Sequence, residues 1–547
     1  MSLFGSLYIG TSGLQTSQNA LNTTAHNMSN AATGGYTRQQ VYQVDRNYTT
    51  LSNSAKTVSK KQTGLGVNYA QTRQVRDYFL DRTYREEYGR MCFYQTSYNA
   101  FTQVEDLMGE LYGESFNQSL SNLSEAINEL AKEPANAVKQ GLLVQRASQF
   151  LQRSSAIYRD LCDMQDKMNK QVKDNVDRVN EIAQRIFDLN TEIVKIEIGG
   201  IEHANDLRDE RNALLDELAG IIHINYSEDY DGAVIVKAEG HQLVTRGLVF
   251  EMGVFQDPNT NFYTPYWVLD ATVDPKTGNP DLSNSMVFDL TLPISTARDS
   301  DIGTLKAQLL ARGDHRANYL DMQTDADTYN STIANSVIMN TMAEFDNLVH
   351  LITTKLNEAF ASAADKDNGY LVDKNGNPIQ LFQRISVPGY DESGNPIPED
   401  SRPGYENTLY TVLNMTINPD LMKEPTLLGM VNAEDKEDYP LGKLLQGVLY
   451  EEIYYLNPNV TNPCNLIDMY SNIVSQLTIS AAVFRDVYED QTTLTDSTEY
   501  MRQQVVGVSD DEELNNMIKF QNAFNASSRY INVIDEMMEH IINTLGT

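Results

Sequence analysis

This chain predicts a mainly α protein with inserted β domains, its terminal helices coiled-coil-like and a helical bundle between them. Three observations carry that prediction. Heptad patterns occupy both ends of the chain, three-four apolar series recur between them, and two strand-rich stretches interrupt those series. With 547 residues, several cores are required, roughly three to four domains.

The opening segment predicts a helix. Leu7, Leu14, Leu21 and Met28 recur every seven residues, with Leu3, Gly10, Ser17, Thr24 and Ala31 between them. Large residues at one position and mostly small ones at the other let a neighbouring helix come close. Propensity is poor, because Ser, Thr, Asn, Gly10 and Gly13 all disfavour an isolated helix. It should therefore form only against partners. Gly34-Gly35 is expected to stop it, with Tyr36-Thr37-Arg38 beginning an extended stretch. Arg38 is also the first formally charged residue, in a chain where 21% of residues are charged. A helix with one wet face normally gains charge there, whereas one enclosed by protein avoids it. A single partner helix cannot enclose it, but other subunits can.

The far end has a matching pattern. Ser509-Asp510-Asp511-Glu512 has the S-x-x-E form of a capping box, with acidic residues at a helix start. Behind it runs the series Leu514, Met517, Gln521, Phe524, Ser528, Ile531, Asp535, Met538, Ile542 and Leu545, apolar at every second member from Met517. A helix over 510–545 would be about 50 Å long. Two such helices at opposite chain ends are expected to pair.

Between the ends, 90–220 reads as mostly helical, with a seam from Val172, Asn175, Val179 and Ile182 to Ile196, closed by Gly199-Gly200. Further helices are expected over 303–362 and 465–504. The strand-rich stretches are 221–300, with VIVKA, HQLV and FYTPYWVL and turns at Asp231-Gly232 and Gly278-Asn279-Pro280, and 363–445. The second has turns at Lys374-Asn375-Gly376-Asn377-Pro378 and Ser393-Gly394-Asn395-Pro396.

Composition narrows the function. The net charge of −33 opposes binding to nucleic acid or to anionic lipid. No run approaches a membrane span, and no basic, continuous apolar leader opens the chain. Cys92, Cys162 and Cys464 show no disulfide or zinc spacing. The seven histidines are dispersed, and no H-E-x-x-H, G-x-S-x-G, P-loop or G-x-G-x-x-G occurs. Asp365-Lys366-Asp367-Asn368-Gly369 is a poor match to a calcium loop, lacking its glycine and final glutamate. No catalytic residue, cofactor or metal is expected.

The residues HNMSNAATGGYTRQQ after the first heptads, and DDEELNNMIKFQNAFNASSRYINVIDEMMEHIINTLG at the end, resemble the terminal segments of axial proteins of the bacterial flagellum. The ending Tyr36-Thr37-Arg38-Gln39, together with DLRDERNALLDELA, is similar specifically to the FlgK family of hook-associated, hook–filament junction proteins. EAINELAKEPANAVKQGLLVQRASQFLQR resembles that family's long D1 helix region. The likeness covers roughly 1–250, a short piece near GTLKAQLLARGD, and 465–547. Gly34 and Ala32 depart from it, standing where the family often has Pro and Asn.

The resemblance implies a domain plan. Terminal D0 helices take 1–45 and 505–547, a helical D1 core takes 46–220, 301–362 and 446–504, and two outward β-rich domains take 221–300 and 363–445. It implies a structural, non-enzymatic role in joining hook to filament, with secretion through the flagellar type III apparatus after a transient cytoplasmic stage. The implied partners are copies of the chain in a ring or helical oligomer, hook protein, the second hook–filament junction protein, and a cytoplasmic export chaperone on the C-terminal helix. Neither nucleic acid nor membrane insertion is expected. The expected assembly interface comprises Leu3, Leu7, Leu14, Leu21, Met28, Tyr36, Leu514, Met517, Phe524, Ile531, Met538, Ile542 and Leu545, with the terminal segments poorly ordered before assembly. A hook or distal-rod protein, a filament-associated adhesin or binding module, and an enzyme are the competing readings.

Overall fold

The computed structural model describes residues 3–46, 49–52, 61–109, 115–200, 202–273, 280–365, 369–374, 376–387, 408–431 and 436–545. In chain order the elements are α1 (Leu3–Ser29), β1 (Gln39–Asp45), β2 (Thr49–Ser52), β3 (Lys61–Thr63), β4 (Val67–Gln74), α2 (Tyr78–Gly109), α3 (Phe116–Lys132), α4 (Ala137–Glu197) and α5 (Asn205–Ile221). Seven short strands follow: β5 (Ile224–Glu228), β6 (Val234–Ala238), β7 (His241–Val244), β8 (Met252–Gln256), β9 (Tyr263–Trp267), β10 (Thr272–Val273) and β11 (Pro280–Asp281). The remainder is α6 (Thr304–Arg312), α7 (Ala326–Thr332), α8 (Val337–Ala363), β12 (Phe382–Arg384), β13 (Met415–Ile417), α9 (Pro419–Lys423), α10 (Tyr439–Tyr450), α11 (Leu466–Val506) and α12 (Asp510–Leu545). The fold is mainly α with small antiparallel sheets. Two compact units share it: Met1–Met91, Arg178–Glu251 and Gln491–Thr547 form the first, Cys92–Asp177 and Met252–Asp490 the second.

In the first unit, α1 packs along α12 and against the ribbon of β1 and β4. A three-stranded meander, β5-β6-β7, closes over α5 and the end of α4. Its first turn is the expected Asp231-Gly232, where Gly232 takes φ +87°. Helix α1 ends at Ser29, ahead of the Gly34-Gly35 stop that its sequence signals. The side chains of Ser29 and Asn30 fold back onto the carbonyls of Ala25 and His26, offering the backbone a turn before the glycines are reached. Gly35 still supplies a positive φ, +80°, to swing the chain toward β1.

The second unit is built around α8. Ile338, Met342, Phe345, Val349, Ile352 and Leu356 are all buried, and Phe116, Phe150 and Tyr470 pack into the same core. From Thr341 to Val349 every residue is buried, polar ones included, so this stretch is wrapped on all sides. The single helix expected over 303–362 is divided instead. Gly313 at φ +78° ends α6, and Asp325 and Ser336 cap α7 and α8 by accepting from backbone N–H groups.

The stretch 363–445 holds one ladder among its described residues, β12 with β13. Its apolar residues Leu381, Phe382, Val412, Met415, Ile417 and Leu428 join the α8 core rather than forming a sheet of their own. The turn signals there delimit short crossings of a helical core. Ser393-Gly394-Asn395-Pro396 and parts of the other two Pro-containing turns lie outside the described residues, as do 366–368 of the calcium-like segment. Stretch 221–300 is shared, with β5 to β7 in the first unit and β8 to β11 in the second.

Candidate functional site

The α1–α12 seam is made of small residues on one side. Gly10, Ser17, Ala20, Thr24 and Asn27 are buried, and Gly13 is half-buried. A Cβ at Gly10 would stand 2.7 Å from Ile531 Cγ1, and one at Gly13 would stand 2.7 Å from Ser527 Oγ. At Gly10 any side chain would force the helices apart, whereas at Gly13 the rotatable Ser527 hydroxyl is the only close atom. Ser17 and Thr23 donate to carbonyls four residues back and Ser12 to Ile9 O, so their hydroxyls are satisfied without charge or water. Across the ribbon, Gly66 lies against Ser12 and within 3.2 Å of Ile9 Cα for an added Cβ.

The opposing face of α12 runs Glu513, Met517, Phe520, Phe524, Ser527, Ile531, Ile534 and Met538, all buried or half-buried. The sequence series had Met517, Phe524, Ile531 and Met538 on this face. Its alternate members Leu514, Gln521, Ser528, Asp535 and Ile542 stand one residue away from the true second row of Glu513, Phe520, Ser527 and Ile534. The same one-residue displacement occurs on α1, where Gly13, Ala20 and Asn27 complete the seam beside Gly10, Ser17 and Thr24. Leu7, Leu14, Leu21 and Met28 are half-buried along its edge. Leu514 and Ile542 are exposed, Ile542 at 69%. The side chains of Leu3 and Leu545 lie outside the described residues.

A polar network closes the base of this pair. Asn27 donates to Gln39 O (2.9 Å) and to Glu513 Oε2 (3.2 Å), while its oxygen accepts from Tyr36 OH (2.8 Å) and Gln39 N (3.0 Å). Arg38 donates to Glu513 (2.9 Å) and Glu512 (2.8 Å), and its backbone N–H donates to Val506 O. Glu512, the last residue of the expected capping box, thus turns its carboxylate to Arg38. Burial, with Asp209 nearby, pushes the Tyr36 phenol well above its ordinary range, so it acts as a hydrogen-bond donor.

Thr37 connects this cluster to α5. Its hydroxyl and N–H both donate to Asp209, which also accepts from Gln74, while Arg76 donates to Thr37 and grips Asp81 with two bonds. Burial raises the Asp209 carboxyl, opposed by the Thr37 donors. Two turns further along α5, Asp216 accepts from Arg85 (2.6 Å) and Arg502 (2.7 Å). Arg208 pairs with Glu197 and Glu228. Arg211, 1% exposed, donates to Asn190 and Gly232 O, and burial lowers it to about 10. Arg208 and Arg211 thus hold α4 and the β5–β6 turn to α5, Asp209 holds Thr37, and Asp216 holds α2 and α11.

Of the expected interface residues, Tyr36 alone sits in this network. Asn27, Thr37, Arg38, Asp209, Asp216 and Glu513 are not among the expected interface residues. Their signal was present: Asn27 is a branched amide within a seam of small residues, and Arg38 is the first charge after 37 residues without one. Among the described residues, no three or more His, Cys, Asp or Glu are placed to hold a metal ion, and no helix is long and apolar enough to cross a membrane. All three cysteines are free thiols.

Comparison with known proteins decides the family. Residues 101–372 match the flagellar hook-associated protein FlgK helical domain, and 503–544 match the flagellar basal body rod FlgEFG protein C-terminal family. The chain belongs to the FlgK family. Flagellar hook-associated protein 1 of Bacillus subtilis (strain 168) is 24% identical over 100% of this chain and 99% of its own length. The protein of that name from Escherichia coli (strain K12) is 21% identical over 97% and 98%. The flagellar hook junction protein FlgK from Burkholderia pseudomallei shares the fold, with TM-score 0.54 and 10% identity over 78% of this chain and 100% of that one. Within the FlgK family assignment, the two matched regions are not independent: the network ties the rod-type C-terminal helix to Arg38, and Thr37 to α5.

Proposed function

We propose that this chain is a structural protein of the bacterial flagellum that joins hook to filament, assembling through α1 and α12. The observation that carries the reading is the unfinished surface of that helix pair. Phe4, Tyr8, Leu514, Ile518, Val533, Met537 and Ile542 are exposed on helices that already satisfy each other along one face. Apolar side chains left exposed along both helices suit burial in a protein interface. Copies of the chain fit it, repeated head to tail along a screw, with α1 and α12 toward the axis. FlgK-family membership supports the same reading, as does the match of α12 to a rod-protein C-terminal family.

Leu3, Leu7, Leu14, Leu21, Met28, Tyr36, Leu514, Met517, Phe524, Ile531, Met538, Ile542 and Leu545 form or support the interface. Hook protein and the second junction protein are its axial neighbours. A cytoplasmic chaperone holds the α12 face before secretion, and the assembled protein is extracellular. Terminal segments that order only on assembly would prevent premature polymerisation. The inner seam of α1 and α12 supports one sequence of events: Met517, Phe524 and Ile531 are open to a chaperone until α1 covers them.

Deletion of the gene, followed by electron microscopy of cells and immunoblotting of medium, tests the function. Hooks without filaments, and flagellin monomer in the medium, are expected. Missing hooks would move the protein to the rod or hook, and normal filaments would remove the junction role.

A further inference from the structure

Three contacts give the alignment of α1 on α12. An added Cβ at Gly10 would meet Ile531, one at Gly13 would meet Ser527, and Asn27 donates to Glu513. Gly10 to Asn27 is a step of seventeen residues along α1, and Ile531 to Glu513 is a step of eighteen back along α12. The helices therefore run antiparallel in one continuous register.

Little in the seam itself specifies that register. Helix α1 presents Gly10, Gly13, Ser17, Ala20 and Thr24, all small. Helix α12 presents Met517, Phe520, Phe524, Ile531 and Ile534, all large, with Ser527 the exception. A slip of one heptad would lay large on small again at almost every step. The hydroxyls of Ser12 and Ser17 bond to carbonyls of α1 itself, so they hold no register either.

The polar base is different. Asn27 and Glu513 are 1% and 2% exposed. Glu513 accepts from Asn27 Nδ2 and from Arg38 Nε, while Asn27 also binds both the N–H and the C=O of Gln39. Arg38 is itself fixed just ahead of α12, because its N–H donates to Val506 O. Moving α12 by seven residues one way would set Phe520 against Asn27. Moving it the other way would set Glu513 against Ala20, away from Arg38. A buried amide or carboxylate stripped of its partner is penalised far more steeply than an exchange of one large apolar residue for another.

We infer that Asn27, Arg38 and Glu513 form a register lock, which fixes how far α12 is advanced along α1 and so which exposed residues of the two helices stand level. The observed register, continued along both helices, sets Tyr8 level with Val533 and Phe4 level with Met537, all four exposed. A one-heptad slip would move these residues past one another by about 10 Å. The lock thus decides the composition of the outer apolar strip, whatever that strip binds.

Cysteine pairs in the purified full chain test it. Gly13→Cys with Ser527→Cys reports the observed register, since a Cβ at Gly13 stands 3.6 Å from that of Ser527, within disulfide reach. Gly13→Cys with Phe520→Cys, or with Ile534→Cys, reports a slip in one direction or the other. Under copper–phenanthroline oxidation, with products mapped by mass spectrometry, the first pair should close at least tenfold faster than either slipped pair. Adding Asn27→Leu and Glu513→Leu should cut that preference below threefold, with one slipped pair now closing and helix content by circular dichroism unchanged. Asn27→Leu alone, the milder change, should lower the preference in the same direction. A preference that survives both variants would overturn the inference, because the seam would then set its own register. Equal rates for all three pairs with Asn27 and Glu513 in place would overturn it as well. So would loss of every disulfide in the leucine variants, since the network would then hold the helices together rather than aligned.

Discussion

Helices α1 and α8 are each 27 residues long, and they spend their sequences oppositely. Helix α8 is wrapped by its own unit, with Phe345 and Phe360 fully buried, and it buries two carboxylates. Glu344 accepts from Asn457, and Asp346 accepts from the backbone N–H groups of Val412 and Tyr319. Helix α1 carries no formal charge, yet buries only small residues and exposes Phe4 at 68%. Freedom from charge therefore does not track enclosure by the same chain. A helix completed internally can keep buried acids, because fixed donors await them. A helix whose remaining faces await mobile neighbours cannot count on such donors.

The largest effect should come from the completed helix. Phe345 lies edge-on to Phe116 at 4.9 Å and is fully buried. Phe345→Ala should destabilise the second unit by about 3–5 kcal/mol in urea denaturation. A loss below about 1 kcal/mol would mean that α8 is no better enclosed than α1, and the contrast would fail.

The converse substitution is Gly10→Leu. Helix propensity alone would favour it by up to about 1 kcal/mol. The side chain would meet Ile531 and Tyr530, so separation of α1 from α12 should cost about 1–3 kcal/mol instead. Filament attachment should be lost while the thermal transition of the second unit stays unchanged. Normal attachment would show that the close seam is dispensable. Below this in size is Asp209→Asn, which leaves Thr37 and Gln74 a neutral amide oxygen in place of a carboxylate and should cost about 1 kcal/mol. Hydrogen exchange in α1 should accelerate. Unchanged exchange would mean that the network does not hold the helix pair at its base.

Much of this was legible in the sequence, and the illegible part has a physical form. Periodicity located α1, the second half of α4 and α12 because an exposed or half-exposed helix must alternate its chemistry every three to four residues. It placed half of each terminal seam correctly and missed the other half by one residue. Heptad counting assigns large residues to the seam, whereas here Gly13, Ala20 and Asn27 take it and the leucines flank it. Helix α8 gave weaker registration, since a helix buried on all sides, its polar residues included, has no preferred face to read. Turn signals at 363–445 were real but cannot say whether the residues between them pair with each other or pack on a distant helix; they pack on α8. The polar network was hidden because Thr37, Asp209 and Glu513 are brought together only by the fold.

The smallest prediction separates the two regions by pH. Burial pushes Glu344 and Asp346 up to about 7, and their hydrogen bonds only partly oppose it. A carboxyl whose folded pKa lies above its unfolded value binds more protons in the native state, so stability falls as pH rises from about 4 through about 7. His315, held between Asp314 and Asp321, is raised to about 10, so its contribution is complete below about 6.5 and is lost as pH climbs toward 10. All three groups belong to the second unit and share one sign. Their contribution to its melting temperature should therefore fall between pH 5 and pH 8, opposed by His350, whose imidazole is lowered by burial and gains stability as pH rises. In a His350→Gln background the melting temperature should drop by several degrees over that range. Glu344→Gln combined with Asp346→Asn should flatten that slope, since the paired amides stay uncharged across the range. In the His350→Gln background, a second unit that melts higher at pH 8 than at pH 5 would show that the donors around α8 stabilise the ionised acids outright, and completion from within would then be stronger than burial alone implies.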